Sequence, residues 1–352
     1  MKNRITPLLI LFILGAVLLS SCGSPQYATS WPGMTVANES LYVSYAGSVL
    51  SVRVSDGSTQ WRFPEKIENG KQFFAPPTVA DGQILVGDYA GALYSLDANT
   101  GSQKWAINNG TGHFIASPLV INETILAPSA DRIVYALDLS GKQRWIYSSK
   151  FAFWAQPVSD GKVGFIPSID HFIYALNLDT GKKVWASDLG GAIVNSPVLD
   201  KDGMLYVGTL ANDLAAVNSS TGKIAWKFKA NAEIWSRPVL LDGNLFFGDL
   251  GGTIYCINSQ NGKMVWKLDA EGVITASGAA YPDGIVFSTE SGSVLGISPK
   301  GEKLFTKTLT GKINGSPVVG ADRIIVATTE ADNLLVAFDF KGIDKWTLPP
   351  PK

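Results

Sequence analysis

Downstream of Trp31 the chain alternates between short apolar runs and small polar clusters, and the same succession returns about every forty residues. Some runs are continuously apolar, such as Ile84-Leu85-Val86-Gly87 and Leu205-Tyr206-Val207-Gly208. Others alternate before an Asx and a glycine: Tyr94-Ser95-Leu96-Asp97 leads to Gly101, Tyr174-Ala175-Leu176-Asn177 to Gly181, and Tyr255-Cys256-Ile257-Asn258 to Gly262. Runs this short, bounded by turn residues, predict strands rather than helices. Asp or Asn caps a reversal through its side chain, and Gly accepts the positive φ that other residues resist. Trp105, Trp185 and Trp266 stand four residues beyond those glycines. Each unit therefore contains a hairpin with tryptophan on its second strand.

Eight units end in Trp61, Trp105, Trp145, Trp185, Trp226, Trp266, Phe305 and Trp346, at separations of 44, 40, 40, 41, 40, 39 and 41 residues. Most units open on proline before a β-branched stretch, as in Pro77-Thr78-Val79, Ser117-Pro118-Leu119, Gln156-Pro157-Val158, Ser196-Pro197-Val198, Arg237-Pro238-Val239 and Ser316-Pro317-Val318. Pro32 heads the first unit, and Gly278 replaces proline in the seventh. Proline at the start of a strand removes no ladder hydrogen bond. Four strands in about forty residues leave only tight turns, and such a sheet buries both faces only by packing between neighbours in a ring. The expectation is an all-β chain, a single eight-bladed β-propeller of four-stranded antiparallel blades over residues 31–348, with the indoles between adjacent blades. The ring is expected to close by contact of the first and eighth blades, without an N-terminal strand joining the last.

Trp-Asp-repeat propellers have units of similar length, but no Trp-Asp dipeptide occurs here. Asp97-Ala98-Asn99-Thr100-Gly101 followed by Trp105, with its relatives in register, resembles the tryptophan-docking motif of the PQQ-like, quinoprotein-type repeat family. The resemblance runs from Trp31 to Trp346.

The first 21 residues read as an export signal: Lys2 and Arg4, an apolar run from Ile5 to Leu19, then small residues. The run is too short and asymmetric for an ordinary spanning helix. Leu19-Ser20-Ser21-Cys22 resembles the bacterial lipobox, which implies cleavage before Cys22 and a lipid-modified, palmitate-type N-terminus. Acyl chains, at about 0.8 kcal/mol per buried CH₂, hold a protein to a membrane without a spanning helix. Residues 22–30 are then a lipidated cysteine and tether, and 349–352 a C-terminal tail. Charged residues make up 17% of the chain, and its 29 basic side chains less Lys2 and Arg4 leave 27 against 30 acidic ones. No basic surface for nucleic acid is implied. Two cysteines, Cys22 and Cys256, exclude a disulfide framework.

Chemistry-bearing residues are few. His113 and His171 are the only histidines, and without a cysteine pair they offer no metal set and no signature of an activated nucleophile. Asp56, Asp97, Asp138, Asp179 and Asp339 fall in the repeat turns and read as caps, and Cys256 reads as a small buried apolar residue. No catalytic, cofactor-binding or metal residue is assigned, and the chain reads as non-enzymatic. The family resemblance implies one of two outcomes. Quinoprotein dehydrogenases hold pyrroloquinoline quinone and calcium with extra loops, a catalytic aspartate and often adjacent cysteines; this chain has no Cys-Cys pair and no room for such loops. BamB-type lipoproteins of the outer-membrane β-barrel assembly machinery are similar in lipobox, unit count and lack of ligands.

Recognition is expected where the crossovers between blades meet the turns between second and third strands, on one face near the channel mouth. Phe74, Arg132, Trp154, His171, Trp235 and Arg237 are the candidate partner-binding residues, among neighbours Phe73, His113, Phe114, Phe153 and Ile234. Aromatics with arginine are the residues that interface hot spots favour; the same rings would equally plug the channel or pack beneath the loops. The expected partner is a protein of the cell envelope, such as a barrel-assembly component, bound by a monomeric propeller. The expected location is the periplasmic leaflet of an outer membrane, or the outer face of the plasma membrane in a single-membrane cell. The alternatives are a surface lipoprotein that recognises carbohydrate or cell wall through Trp154 and Trp235, and a reduced PQQ-binding relative of the dehydrogenases.

Overall fold

Each repeat folds as an antiparallel meander whose four strands pair in chain order. The computed structural model describes residues 31–351 apart from 67, 69 and 109–111. The expected signal segment, Cys22 and the tether lie outside the described residues. The first blade consists of Gly33–Ala37, Ser40–Tyr45, Ser48–Arg53 and Thr59–Phe63, and the eighth of Val318–Gly320, Arg323–Ala327, Leu335–Asp339 and Asp344–Leu348. The other six lie at 78–108, 119–148, 158–188, 198–229, 239–269 and 279–308. The chain is thus the predicted eight-bladed propeller.

The prolines stand immediately before the innermost strands, as Pro118 before Leu119 and Pro238 before Val239. Second and third strands are buried along most of their length because a neighbouring blade covers each face. Fourth strands alternate exposed with half-buried positions, since they form the outer edge. The core is accordingly divided into layers that each belong to two blades. Leu126, Val134 and Ala136 of the third blade pack on Ile166, Tyr174 and Leu176 of the fourth, with Trp145 against them.

The tryptophans join the layers. Trp145 donates its Nε1–H to the Leu178 carbonyl of the next blade at 2.7 Å, and Trp61, Trp105, Trp185, Trp226 and Trp266 do the same to Ala98, Leu139, Ser219, Ser259 and Pro299 at 2.9–3.1 Å. Each indole lies under the turn glycine of that next blade. A Cβ on Gly181 would come within 2.6 Å of the Trp145 ring, and Gly181 has φ +68°, so both contact and conformation demand glycine. Beside the aromatic the strand register slips by one residue in all eight blades, for example between Ala136 and Leu137. Such a bulge strengthens local twist.

The ring closes with the same device. Trp346 donates to the Val54 carbonyl at 2.8 Å beneath Gly57, and Met34, Leu41, Val43, Leu50 and Val52 share one apolar layer with Ile325, Ala327, Leu335 and Ala337. The strand Gly33–Ala37 belongs to the first blade, and no described N-terminal strand enters the eighth.

The turn caps follow the expected chemistry, with one correction. Asp97, Asp138 and Asp339 accept backbone N–H groups of their turns at 2.9–3.1 Å, which holds their carboxyls below the ordinary range together with side-chain hydrogen bonds. Asp56 caps from within its turn by accepting from Ser58. Asp179 does not cap. Asn177 holds that position, accepting from the Thr180 N–H at 2.9 Å and hydroxyl at 2.8 Å, while Asp179 is exposed. In that turn the residue that ends the third strand is the one whose short side chain reaches the amides that follow.

These contacts set graded expectations for urea unfolding. Trp145→Phe removes one hydrogen bond and part of a buried ring and should cost about 1–3 kcal/mol. Gly181→Ala, forced against the indole in a left-handed conformation, should cost about 2–4 kcal/mol. A Gly181→Ala protein as stable as the parent would show that the docking contact is not structural.

Candidate functional site: the crossover face and axial channel

Every crossover is pinned to two blades by backbone hydrogen bonds. The stretch entering the third blade, for example, donates Phe114 N–H to the Asp88 carbonyl of the blade it leaves and accepts from Ala130 N–H of the blade it enters, both at 3.0 Å. The same pair recurs at Phe153 with Ser129 and Ile169 with Ala152, and at Ile234 with Thr209 and Leu250 with Glu233. This stitching explains why one apolar side chain of each of these crossovers is buried: Phe73, Phe114, Phe153 and Ile234 are at most 2% exposed and serve as plugs under the backbone. Of the expected partner-binding residues, Phe74 is also covered, at 7% exposure. Its ring sits beneath Trp31 and Tyr89.

Those two rings are the ones that reach solvent. Trp31 is 49% and Tyr89 43% exposed; Trp31 meets Phe74 edge-on at 5.5 Å, Phe74 meets Tyr89 at 5.3 Å, and Tyr89 stacks on His113 at 3.8 Å with the planes 3° apart. His113 Nδ1 also contacts the Tyr89 carbonyl. The result is one row of four aromatic rings across the first three units. Sequence reasoning found Phe74 and His113 but not Trp31 or Tyr89. Tyr89 occupies a turn position held by Ala130, Ile169, Leu210, Leu250 and Glu290 elsewhere, so an aligned reading of the turns would have exposed the odd aromatic.

Arg132 and His171 are exposed, and the reason is conformational. They take the left-handed corner of the turn between second and third strands, with φ +73° and +78°, where other units place Gly91, Asn212, Gly252 and Gly292. The corner carbonyl receives the start of the following crossover: Ser149 N–H donates to Arg132 O and Leu189 N–H to His171 O. The backbone is fixed while the side chain points outward.

A second set of aspartates lies in these same turns and was not singled out from sequence. Asp88 accepts the Ala92 N–H at 2.8 Å and the Tyr94 hydroxyl at 3.0 Å, and Asp249 accepts from Thr253 N–H, Ala232 N–H and Tyr255 hydroxyl at 2.9–3.1 Å. Asp131 and Asp170 bind Tyr135 and Tyr174 in the same way, each at 2.7 Å. Burial, reinforced by the carboxylate partner, pushes the phenols of Tyr94, Tyr135 and Tyr174 well above their ordinary range. These carboxylates are engaged as turn staples.

The channel along the ring axis is a cavity of about 910 Å³ lined by residues of all eight units. Trp154, 40% exposed, lines it with Met34, Ile115 and Val194. Trp235 is half-buried, and its carbonyl accepts from Asn195 Nδ2. Arg237 is the one charged residue of the lining, and burial pulls its guanidinium below the ordinary value. The structure thus separates the expected recognition residues: Phe74 belongs to the aromatic row, Arg132 and His171 to the exposed turn corners, and Trp154 and Arg237 to the channel, whose lining does not include Trp235. A calcium–quinone group needs convergent carboxylate or amide oxygens; among the described residues the lining supplies no carboxylate, and its two side-chain amides, Gln156 and Asn195, are hydrogen-bonded to backbone. The residues present do not fit that group.

The family model described as "Outer membrane protein assembly factor BamB" matches residues 32–159, 170–275 and 250–351. A tetrathionate hydrolase of Acidithiobacillus ferrooxidans is 30% identical over 179 residues, covering 43% of this chain and 36% of that protein. Outer membrane protein assembly factor BamB of Shewanella oneidensis is 22% identical over 268 residues, covering 60% of this chain and 66% of that one. The chain therefore spans about a third of the hydrolase and just under two thirds of the assembly factor. The crystal structure of BamB from Moraxella catarrhalis shares the fold with a TM-score of 0.71 at 19% identity, over 86% of this chain and 92% of that one.

Two outcomes follow from the site geometry. His171→Gly relieves a left-handed backbone and should raise stability by about 1 kcal/mol, whereas His171→Val should lower it; equal melting temperatures for the three proteins would contradict the turn assignment. Cys256 is fully buried and its thiol is pushed up to about 12 by burial. Peptide mapping after iodoacetamide at pH 8 should find Cys256 unmodified in the folded protein and alkylated in urea.

Proposed function

Because this chain belongs to the family of outer membrane protein assembly factor BamB, we propose that it is a non-enzymatic, lipid-anchored scaffold that binds a barrel-assembly protein in the cell envelope. The lipobox Leu19-Ser20-Ser21-Cys22 supports cleavage of residues 1–21 and anchoring through Cys22. Gly23 after that cysteine, in place of an aspartate, supports the periplasmic leaflet of an outer membrane. The propeller acts as a monomer that presents its crossover face.

The row Trp31, Phe74, Tyr89 and His113 is the observation that carries the reading. Tyrosine and tryptophan that bury one edge and expose the other suit an interface core. Arg132 and His171, on fixed backbone with free side chains, extend that face around the ring. Stapled aspartates favour a binding role over general acid–base chemistry, which needs a titratable group free to exchange a proton. The stacked pair Tyr89 and His113 favours a second reading, a flat sugar ring of a cell-wall glycan laid on the same row.

In the native host, crosslinking followed by capture through a C-terminal tag and mass spectrometry should recover a barrel-assembly protein. Tyr89→Ala should abolish the crosslink, while Met264→Ala on an outer edge strand should leave it intact. Recovery of glycan instead, or a crosslink indifferent to Tyr89, would overturn the scaffold reading on this face.

A further inference from the structure

We infer that the axial channel is a binding site for an organic monocarboxylate with an adjoining apolar group, gripped by the guanidinium of Arg237. The inference is independent of which partner docks on the crossover face. It begins with a departure from the repeat. Residues just before the strand-opening proline, or its equivalent, line the channel from Pro76 to Ser316, and in four units the side chain there ties one unit to the next. Ser117 Oγ donates to the Pro76 carbonyl at 2.7 Å and Gln156 Nε2 to the Pro118 carbonyl at 2.9 Å. Ser277 Oγ accepts from Arg237 N–H at 2.8 Å, and Ser316 Oγ from Ser277 N–H at 3.0 Å. Together they form much of a hydrogen-bonded hoop around the axis.

Arg237 stands at that same position in the sixth unit, but only its backbone joins the hoop. Among the described residues its guanidinium has neither a hydrogen-bond partner nor an ion pair. The side chain opens onto cavity water while the surrounding blades remove bulk solvent, which is why the guanidinium falls below its ordinary value. Among the described residues no Asp, Glu, Lys or His shares the lining with Arg237, whose positive charge is therefore uncompensated there. A cation without a partner, set between blades rather than in bulk solvent, is stabilised by an anion that enters beside it.

The shape of the site selects the anion. Guanidinium presents parallel N–H donors whose spacing matches the two oxygens of a carboxylate. One cation with no second basic group balances one negative charge rather than a phosphate dianion. The same lining includes the apolar side chains of Trp154, Met34, Ile115, Val194 and Val198, and a cavity of about 910 Å³ is within the usual size range of ligand pockets. A free small acid and the C-terminal carboxylate of a polypeptide ending in an apolar residue share this chemistry.

Calorimetric titration of the folded, full-length mature protein tests the idea with three probes: N-acetylphenylalanine, its amide, and a hexapeptide ending in phenylalanine with a free carboxylate. The acid should bind at least about tenfold tighter than the amide, and Arg237→Gln should remove at least about that factor, as expected for a charge-assisted hydrogen bond. Arg237→Lys, which keeps the charge and loses the fork, should retain intermediate affinity, and Arg132→Gln on the same face should bind like the parent. Tighter binding of the hexapeptide than of the single residue assigns the site to a chain terminus, and equal binding assigns it to a free acid. Equal affinity for acid and amide, undiminished binding by Arg237→Gln, or no binding of any probe overturns the inference.

Discussion

An indole lying under the next blade's turn glycine, its N–H on that blade's carbonyl, is the contact on which this propeller depends. No blade has a core of its own. Each apolar layer belongs to two neighbours, as Leu126 and Ala136 meet Ile166 and Tyr174, so nothing stabilises a blade until a neighbour is in place. Apolar packing alone is non-directional and would tolerate sliding of one twisted sheet over another. The hydrogen bond from Trp145 to Leu178, repeated at six further junctions, removes that freedom. It fixes each blade against the next at seven of the eight junctions.

The seventh unit shows what happens when the contact is altered. Phe305 has no N–H to donate, and a Cβ added on Gly342 above it would stand 3.3 Å from the ring, a looser fit than the 2.6–3.0 Å such a Cβ would meet at the seven indoles. The ring instead leans over its own sheet. Its cross-strand partner is Gly296, where the other blades have Ser51, Ser95, Ala136, Ala175, Ala216, Cys256 and Ala337, and a Cβ there would come within 2.2 Å of the phenyl. The two substitutions answer each other. The same unit also lacks the strand-opening proline, and the hydroxyls of Thr275, Tyr281 and Ser288 are buried there without a hydrogen-bond partner. Burial pushes the Tyr281 phenol up to about 12. Loss of one indole has relaxed the local demand for complementarity.

Fold and closure were legible because they rest on periodic features. Tryptophan spacing, turn glycines and prolines each recur in register, so eight weak signals reinforce one another. The recognition face was legible only in outline. Phe74 and Phe153 look alike in sequence to exposed crossover aromatics, and what buries them is backbone stitching between crossover and turn, which leaves no side-chain signature. Tyr89 was missed because its signal lies in a comparison of the second turns across units, and Trp31 because it precedes the first strand and reads as the start of the repeat. Asp179 and Asn177 were confused for a simpler reason: both are Asx residues near one glycine, and only the end of the strand decides which side chain reaches the amides.

A repeat also supplies its own reference for function, because a position held to one kind of residue in most units states what the fold requires there. The left-handed corner accepts Gly, Asn, Arg or His, since its carbonyl and not its side chain holds the crossover. Variation at that corner is therefore free for the surface to use. The hoop position is used by half of the units, where Ser117, Gln156, Ser277 and Ser316 each tie adjacent units together, while Pro76 and Ser196 stand there with small uncharged side chains. Arg237 gives up a tie that the fold could have had and places a charge where burial opposes it. A serine there would satisfy the architecture at lower electrostatic cost, so the reason for arginine has to be sought in what enters the channel.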